Sequence, residues 1–536
     1  MKNEVKNSIK NTIGNLLTKG RSEYTDYILF FRHYSELQLD ESEIIDIVSA
    51  MNIDCDMLYY EYSKDKIQDA FCPFMEFIRE LYNKYYKKIM TAQEFVEKAG
   101  GYKALTYLFV HYLENGWFDR YEDVLPQEVE YEKIRIVESI INFIKYISRE
   151  HKLVMVLDNV HLVQLSSLKI IENIIGNRAI KNIAFIGSYD ESYNISSYRQ
   201  GEWSKLMDLI RNLEITIEYD GVSENYNVEE TEDSDGGTTV AEYIETMRDL
   251  CMVLAFEQGN YYMTKLLRTL DNSKLVATQE EEAQIYFIKA MIEVFTKHDK
   301  EAFVSCKKMY DLECTKNNNK ILYMYYVINA IINTTTGQHY IARKMIKNGL
   351  DLIDAHPDEF VEHDRTRLEM MEIVEYLSKN PNVLFWDPNM SIPKELIQKA
   401  KDKGQLMHVA YAYLFGFNLA SADTQEREEN RKNFEEGLAI AEKLDNVKLQ
   451  IRGWQSSGAQ ASAYGDFRDT LYFYNKSLDI MKGNDMKLEE AEIDNGIGYD
   501  CIVNEKYDLA YDYFHKAIDL GVISACTVPC SAPVSH

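Results

Sequence analysis

Continuously apolar runs of strand length alternate with helically spaced apolar positions from Tyr27 to about Ser188. Tyr27–Phe31 (YILFF), Met57–Tyr62 (MLYYEY), Leu153–Leu157 and Asn182–Gly187 (NIAFIG) read as strands. Between them lie EIIDIVSAM from Glu43, the stretch Pro73–Tyr86, residues 131–148 and Leu168–Ile175. These place apolar residues three and four apart, the period of a helix with one buried face. Strands without alternation, separated by helices, imply a parallel sheet covered on both sides. The fold class expected here is α/β.

The pattern changes over Leu213–Thr239. LEITIEY alternates and reads as a sheet edge, and NYNVEETEDSDGGTT is acidic and ends in glycines. The expected division is an α/β domain over 1–225, an acidic linker over 226–239, helical repeats over 240–520 and an irregular tail over 521–536.

The repeats show as recurring helix–turn–helix units. The clearest is NGIGYDCIVNEKYDLAYDYFHKAIDL, with Gly498 on a first helix and Ala510, Phe514 and Ala517 on a second. The unit before it carries Gly458, Thr470, Tyr474 and Ser477 at matching places, and earlier echoes supply Ala302, Ala342 and Gly437. Equivalent positions fall 40 apart for Ala302 and Ala342, 33 for Gly437 and Thr470, and 40 for Thr470 and Ala510. Small residues let two helices approach, and a large one a turn later fills the groove against the next unit. The pattern resembles tetratricopeptide repeats, which implies an all-α helical solenoid.

Composition narrows the partners. A formal net charge of −28 repels phosphate backbones and anionic membranes, so no direct nucleic-acid or membrane binding is expected. No apolar window approaches a membrane span, and MKNEVKNSIKNTIGNLLTKG lacks the apolar core of a signal peptide. Six of the eight cysteines are scattered and read as reduced thiols of a cytoplasmic protein. Cys526 and Cys530 in CTVPC have weak spacing for a metal or redox pair, and no metal site is expected. The tail carries Pro529 and Pro533 and offers no helix to cover the last repeat. Self-association through that repeat, at Ala510, Phe514 and Ala517, is therefore expected.

The candidate chemistry sits in LVMVLDNVH, Leu153–His161. A buried strand ending in Asp158 is how a nucleotide-dependent switch presents a magnesium-binding carboxylate. Its counterpart, a Gly-rich loop ending in Gly-Lys-Ser/Thr, is missing, since the chain has no Gly-Lys dipeptide. The ordered series YILFF, MLYYEY, DAFCPFMEFIREL, LVMVLDNVH and NIAFIGSYD resembles the signal-transduction ATPases with numerous domains. These are the AAA-like modules that precede tetratricopeptide repeats in maltose-activator-type bacterial regulators. The resemblance covers roughly residues 10–220.

That resemblance implies a phosphate loop between the first strand and its helix. Here the interval is RHYSELQLDES, without glycine or lysine and with Glu36, Asp40, Glu41 and Ser42. Glycine-free backbone does not readily cradle phosphate, and carboxylates repel it. Asp158 matches the magnesium aspartate. Asn159 stands where an acid commonly activates water, and it cannot act as a general base. His161 matches a histidine of the strand end, either a sensor contact or a capping residue, and Asp190 stands where an arginine is common. Asp158 has a structural reading too, as the cap of the turn after its strand. The expectation is a pseudo-ATPase needing no cofactor, joined to a repeat surface that binds a protein or peptide in signal transduction or transcriptional control. The alternatives are an ATP-dependent switch holding ATP and magnesium at an atypical site, and a repeat-type receptor for a peptide pheromone.

Overall fold

The computed structural model describes residues 3–17, 24–33, 39–64, 66–120, 128–177, 180–218, 237–379, 392–417, 419, 423–463, 465–484 and 486–520. The chain divides into two compact units, Met1–Leu368 and Glu369–His536.

In the first unit five strands form one parallel sheet in the order β2-β3-β4-β1-β5. They are β1 (Ile28–His33), β2 (Asp56–Glu61), β3 (Leu153–Asp158), β4 (Ile183–Asp190) and β5 (Thr216–Glu218). Alternation along the strands sorts their side chains into two cores. Leu29, Phe31, Val154, Val156, Ala184 and Ile186 pack with residues of α1 (Asn3–Gly14) and α2 (Glu41–Ala50). Phe30, Met155, Leu157 and Phe185 belong to the opposite core, with α3 (Phe74–Leu81), α4 (Ala92–Lys98), α5 (Thr106–Asn115) and α6 (Val129–Ser148). The same core takes in α7 (Leu165–Gly176) and α8 (Gln200–Asn212). All six residues of β3 are buried, which is why LVMVLD shows no alternation.

Two strands run past their apolar stretches. β1 and β4 stay in register to His33 opposite Asp190, so the polar ends Ser188 and Asp190 belong to the sheet. Backbone pairing, not hydrophobicity, sets where they stop. At Gly187 a Cβ would lie 2.5 Å from Cε1 of Phe30.

The change of composition near 225 is not mirrored in the packing. The core on the α3 face continues into α9 (Val240–Met252), α10 (Phe256–Asp271) and α11 (Gln279–Phe295). These helices bury Tyr243, Met247, Leu250, Tyr262 and Leu266 against the layer that covers the sheet. The stretch read as a linker lies outside the described residues apart from Gly237–Thr239.

Helix pairs follow: α11 with α12 (Asp299–Asp311), then the short α13 (Glu313–Asn317), then α14 (Asn319–Thr335) with α15 (His339–Ala355). The division between units falls inside α16 (Glu362–Lys379). The second unit continues with α17 (Lys394–Asp402) and the pairs α18 (Leu406–Phe415) with α19 (Thr424–Lys443), α20 (Val447–Ala463) with α21 (Phe467–Gly483), and α22 (Lys487–Val503) with α23 (Tyr507–Asp519). The protein is thus an α/β layer followed by α-helical repeats.

The repeat residues lie at helix seams. Ala302 and Ala342 are fully buried, and Ala510 and Ala517 nearly so. A Cβ on Gly437 would stand 2.9 Å from Cβ of Tyr413. Tyr474 lies over Gly458, and Phe514 lies over Gly498 in the same way one repeat later. The last pair exposes Val503, Tyr507, Tyr511 and Ile518. The tail, with Cys526 and Cys530, lies outside the described residues. Among the described residues no helix is long and apolar enough to cross a membrane.

Candidate functional site

The strand order creates a crevice. After β1 the chain passes β4 and β3 to reach β2, and after β4 it passes β1 to reach β5. The connections diverge around β1 and β4, and open parallel sheets bind ligands at the carboxyl ends of strands at such a point.

Asp158 ends β3 there and is fully buried. Its Oδ2 accepts from the backbone N–H of Leu39 at 3.0 Å. Its Oδ1 accepts from the N–H of Asn159 at 3.1 Å and from the hydroxyl of Ser188 on β4. Burial raises the carboxyl above its ordinary range, and the bonds from Ser188 and Leu39 oppose that shift. Asn159 turns the chain with φ 57°, a left-handed conformation that asparagine tolerates. Its N–H is shared with Ser188 Oγ at 3.0 Å. One carboxylate thus fastens the segment entering α2 to the ends of β3 and β4.

The start of α2 is occupied as well. Asp40 is its N-cap, accepting from the N–H of Glu43 at 2.8 Å and from the hydroxyl of Ser42 at 2.5 Å. The hydrogen bond from Ser42, then that from Glu43, holds Asp40 below the usual carboxylate range. A helix N-terminus suits an anion, and here the chain supplies its own.

Beside Asp158 lies a buried group that contains His161. Its Nδ1 accepts from the N–H of Asp190 at 3.1 Å, which leaves the imidazole neutral. Burial, then His33, Arg199 and Lys64, push it down to about 3. His33, the last residue of β1, meets it edge-on at 6.2 Å, and Tyr193 packs on it at 4.8 Å. The cations nearby are engaged. Arg199, almost fully buried, donates through Nη1 to the carbonyls of His161 at 2.7 Å and Val163 at 2.6 Å. Lys64 places its ammonium 4.8 Å from the centre of the Tyr193 ring.

The outer end of the crevice, after β2 and β3, is closed by α10. Gln68 donates Nε2 to Leu162 O at 2.9 Å and accepts at Oε1 from the N–H of Gln164 at 3.1 Å. Its own N–H donates to the hydroxyl of Tyr262 at 2.8 Å, and its carbonyl accepts from Gln258 Nε2 at 3.1 Å. Gln258 Oε1 takes the N–H of Ser166 at 3.2 Å. Tyr261 stacks on Tyr198 at 4.5 Å.

The structure therefore brings Asp158, Asn159 and His161 together and joins them to Asp40 and Ser42 through Leu39. Glu36 lies outside the described residues. The repeat residues are packing positions elsewhere. Sequence reasoning missed Ser188, His33, Arg199, Gln68 and Gln258. The register of β1 on β4 would have found His33, but no local pattern marks the others. Asp158 has its oxygens turned to three donors of its own chain, and the sequence of the segment after β1 contains no lysine. Among the described residues no group of three or more His, Cys, Asp or Glu side chains is arranged to hold a metal ion.

No family model matches the chain, and no curated protein matches it. Among solved structures it is similar to a Signal Transduction ATPase with Numerous Domains (STAND) protein with a tetratricopeptide repeat sensor from Pyrococcus horikoshii. The identity is 12%, the match covers 91% of this chain and 84% of that one, and the TM-score is 0.28.

Proposed function

We propose that this protein is a regulatory or scaffold protein of signal transduction or transcriptional control. Its helical repeats bind a protein or peptide partner, and its α/β layer is a pseudo-ATPase. The observation that carries the second half is the carboxylate of Asp158, sealed by Leu39, Ser188 and Asn159. Asp40, the N-cap of α2, adds to it, because an incoming phosphate would meet a carboxylate where an anion site is needed. The repeat reading rests on paired helices that stack in series, a form that offers long concave surfaces to extended chains.

A working ATP-dependent switch keeps one point in its favour, since the crevice stands where α/β sheets bind nucleotides. Thermal unfolding with and without Mg-ATP separates the readings. A functioning site at 100 times its Kd adds about 2.7 kcal/mol of stability, an upward shift of a few degrees. The pseudo-ATPase reading expects no shift and no magnesium-dependent hydrolysis. A shift, or turnover, that disappears in Asp158→Asn would overturn it.

A further inference from the structure

One edge of the apolar seat of α9 on the α/β layer is lined with carboxylates. α5 ends at Gly116, whose φ of +89° turns the chain into Trp117 and Phe118. Phe118 donates its backbone N–H to Asp249 Oδ2 at 3.2 Å. From the loop after β2, Asp69 Oδ1 accepts the hydroxyl of Thr246 at 2.7 Å. Between these contacts a cavity of about 320 Å³ is lined by Asp69, Glu76, Arg79, Glu80 and Asp249. It adjoins a wider cleft of about 730 Å³ that adds Glu242 and Glu245 of α9, with Lys66 and Arg248.

Acids outnumber bases around Asp249: Arg79 is turned elsewhere, and Arg248 is, among the described residues, the one base that pairs with it, at long range. Arg79, on α3, donates to the carbonyls of Leu113 at 3.2 Å and Glu114 at 3.5 Å, at the end of α5. Arg248 stands 3.6 Å from Asp249 Oδ1 with its guanidinium over the Trp117 ring. The Asp249 side chain is only 13% exposed, and among the described residues Oδ1 has no hydrogen-bond partner, Arg248 standing just beyond that reach. An anion so placed is poorly solvated and faces Asp69, with Glu76 and Glu80 across the cavity.

We propose that the seat of α9 is an acid-sensitive joint, in which Asp249 holds α9 tightly when protonated and loosens it when ionised. Burial, more than the neighbouring Asp69, lifts this carboxyl to about 6, so the change falls close to neutrality. Glu76 is raised too, by burial and then by Asp69 and Glu80, which marks the cavity as short of positive charge. The sign follows from linkage. A carboxyl that binds its proton more tightly in the seated form favours that form at low pH, and the preference fades as pH rises through about 6.

Hydrogen exchange of the full chain tests the joint. After correction for intrinsic rates, amides of 240–252 should be several-fold better protected at pH 5.5 than at pH 7.5. Asp249→Asn keeps an acceptor for the Phe118 N–H and should show the higher protection at both values. Glu76→Gln removes a facing charge and should move the midpoint to lower pH, a readout that remains if the first variant does not fold. Equal protection of α9 at both pH values, or a pH dependence that survives in Asp249→Asn, would overturn the proposal.

Discussion

Gln68 donates its backbone N–H to the hydroxyl of Tyr262 at 2.8 Å, joining the loop after β2 to a helix 194 positions later in the chain. The bond is buried, and Gln68 uses every other polar group it has on the loop after β3 or on α10. A helix that begins well beyond the sheet thereby becomes part of the sheet's own cover.

Tyr262→Phe keeps the packing and removes that acceptor. The stranded N–H should cost about 1–3 kcal/mol. Chemical denaturation should show a lower midpoint for the sheet and α10 together, with an unchanged slope. A loss confined to α10 would show that the two unfold separately.

A fragment ending at residue 225 lacks Tyr243, Met247, Leu250 and Leu266, all buried in the core on the α3 face. It should bind hydrophobic dyes and aggregate far more than the whole chain. A monomeric, cooperatively folding fragment 1–225 would contradict this.

Asp158→Ala leaves the N–H groups of Leu39 and Asn159 and the hydroxyl of Ser188 without their shared acceptor. We expect a loss of about 3 kcal/mol or more, visible in thermal unfolding without any nucleotide. An Asp158 kept only for a ligand would instead leave the ligand-free protein as stable as before.

His161 gives the protein an acid limit. Its folded value, about 3, lies below the ordinary 6.5, so the unfolded chain binds the proton more tightly. The stability from keeping it neutral is full above pH 6.5 and is lost as pH falls toward 3, by at most about 1.4 kcal/mol per pH unit. His161→Gln retains an acceptor for the Asp190 N–H and should flatten that slope by up to one proton. Asp249 acts with the opposite sign, so the two variants should tilt the pH profile in opposite directions.

In the second unit, a Cβ at Gly458 would lie 2.8 Å from Cδ1 and Cε1 of Tyr474. Gly458→Ala should destabilise by about 1–3 kcal/mol through overpacking, less roughly 1 kcal/mol of improved helix propensity. Adding Tyr474→Leu should recover part of the loss. A double-mutant cycle with no coupling would show that the ring does not press on that helix.

Element type was legible wherever one period dominated. β3 and the helix pairs around Tyr474 and Phe514 declare themselves, because burial on both faces and a small-large spacing each leave a local mark. Ser188 and Asp190 were lost to the strand assignment because parallel pairing tolerates polar ends. Asp158 was legible as the end of a buried strand, but its partner Leu39 was not, since a backbone N–H leaves no trace in composition. The join between α10 and the loop after β2 was hidden for a related reason. Gln68, Gln258 and Tyr262 are polar residues that look solvent-facing one at a time and are buried only because they meet.

The core that begins at Ile28 closes only with Ile292. During synthesis the last strand, ending at Glu218, therefore leaves the ribosome well before the helices that seal its layer. At about 5–20 residues per second, the apolar face of the α3 side waits roughly 4–15 seconds for α9 to α11. The nascent chain is thus most in need of a chaperone after its sheet is complete and before its first helix pairs arrive.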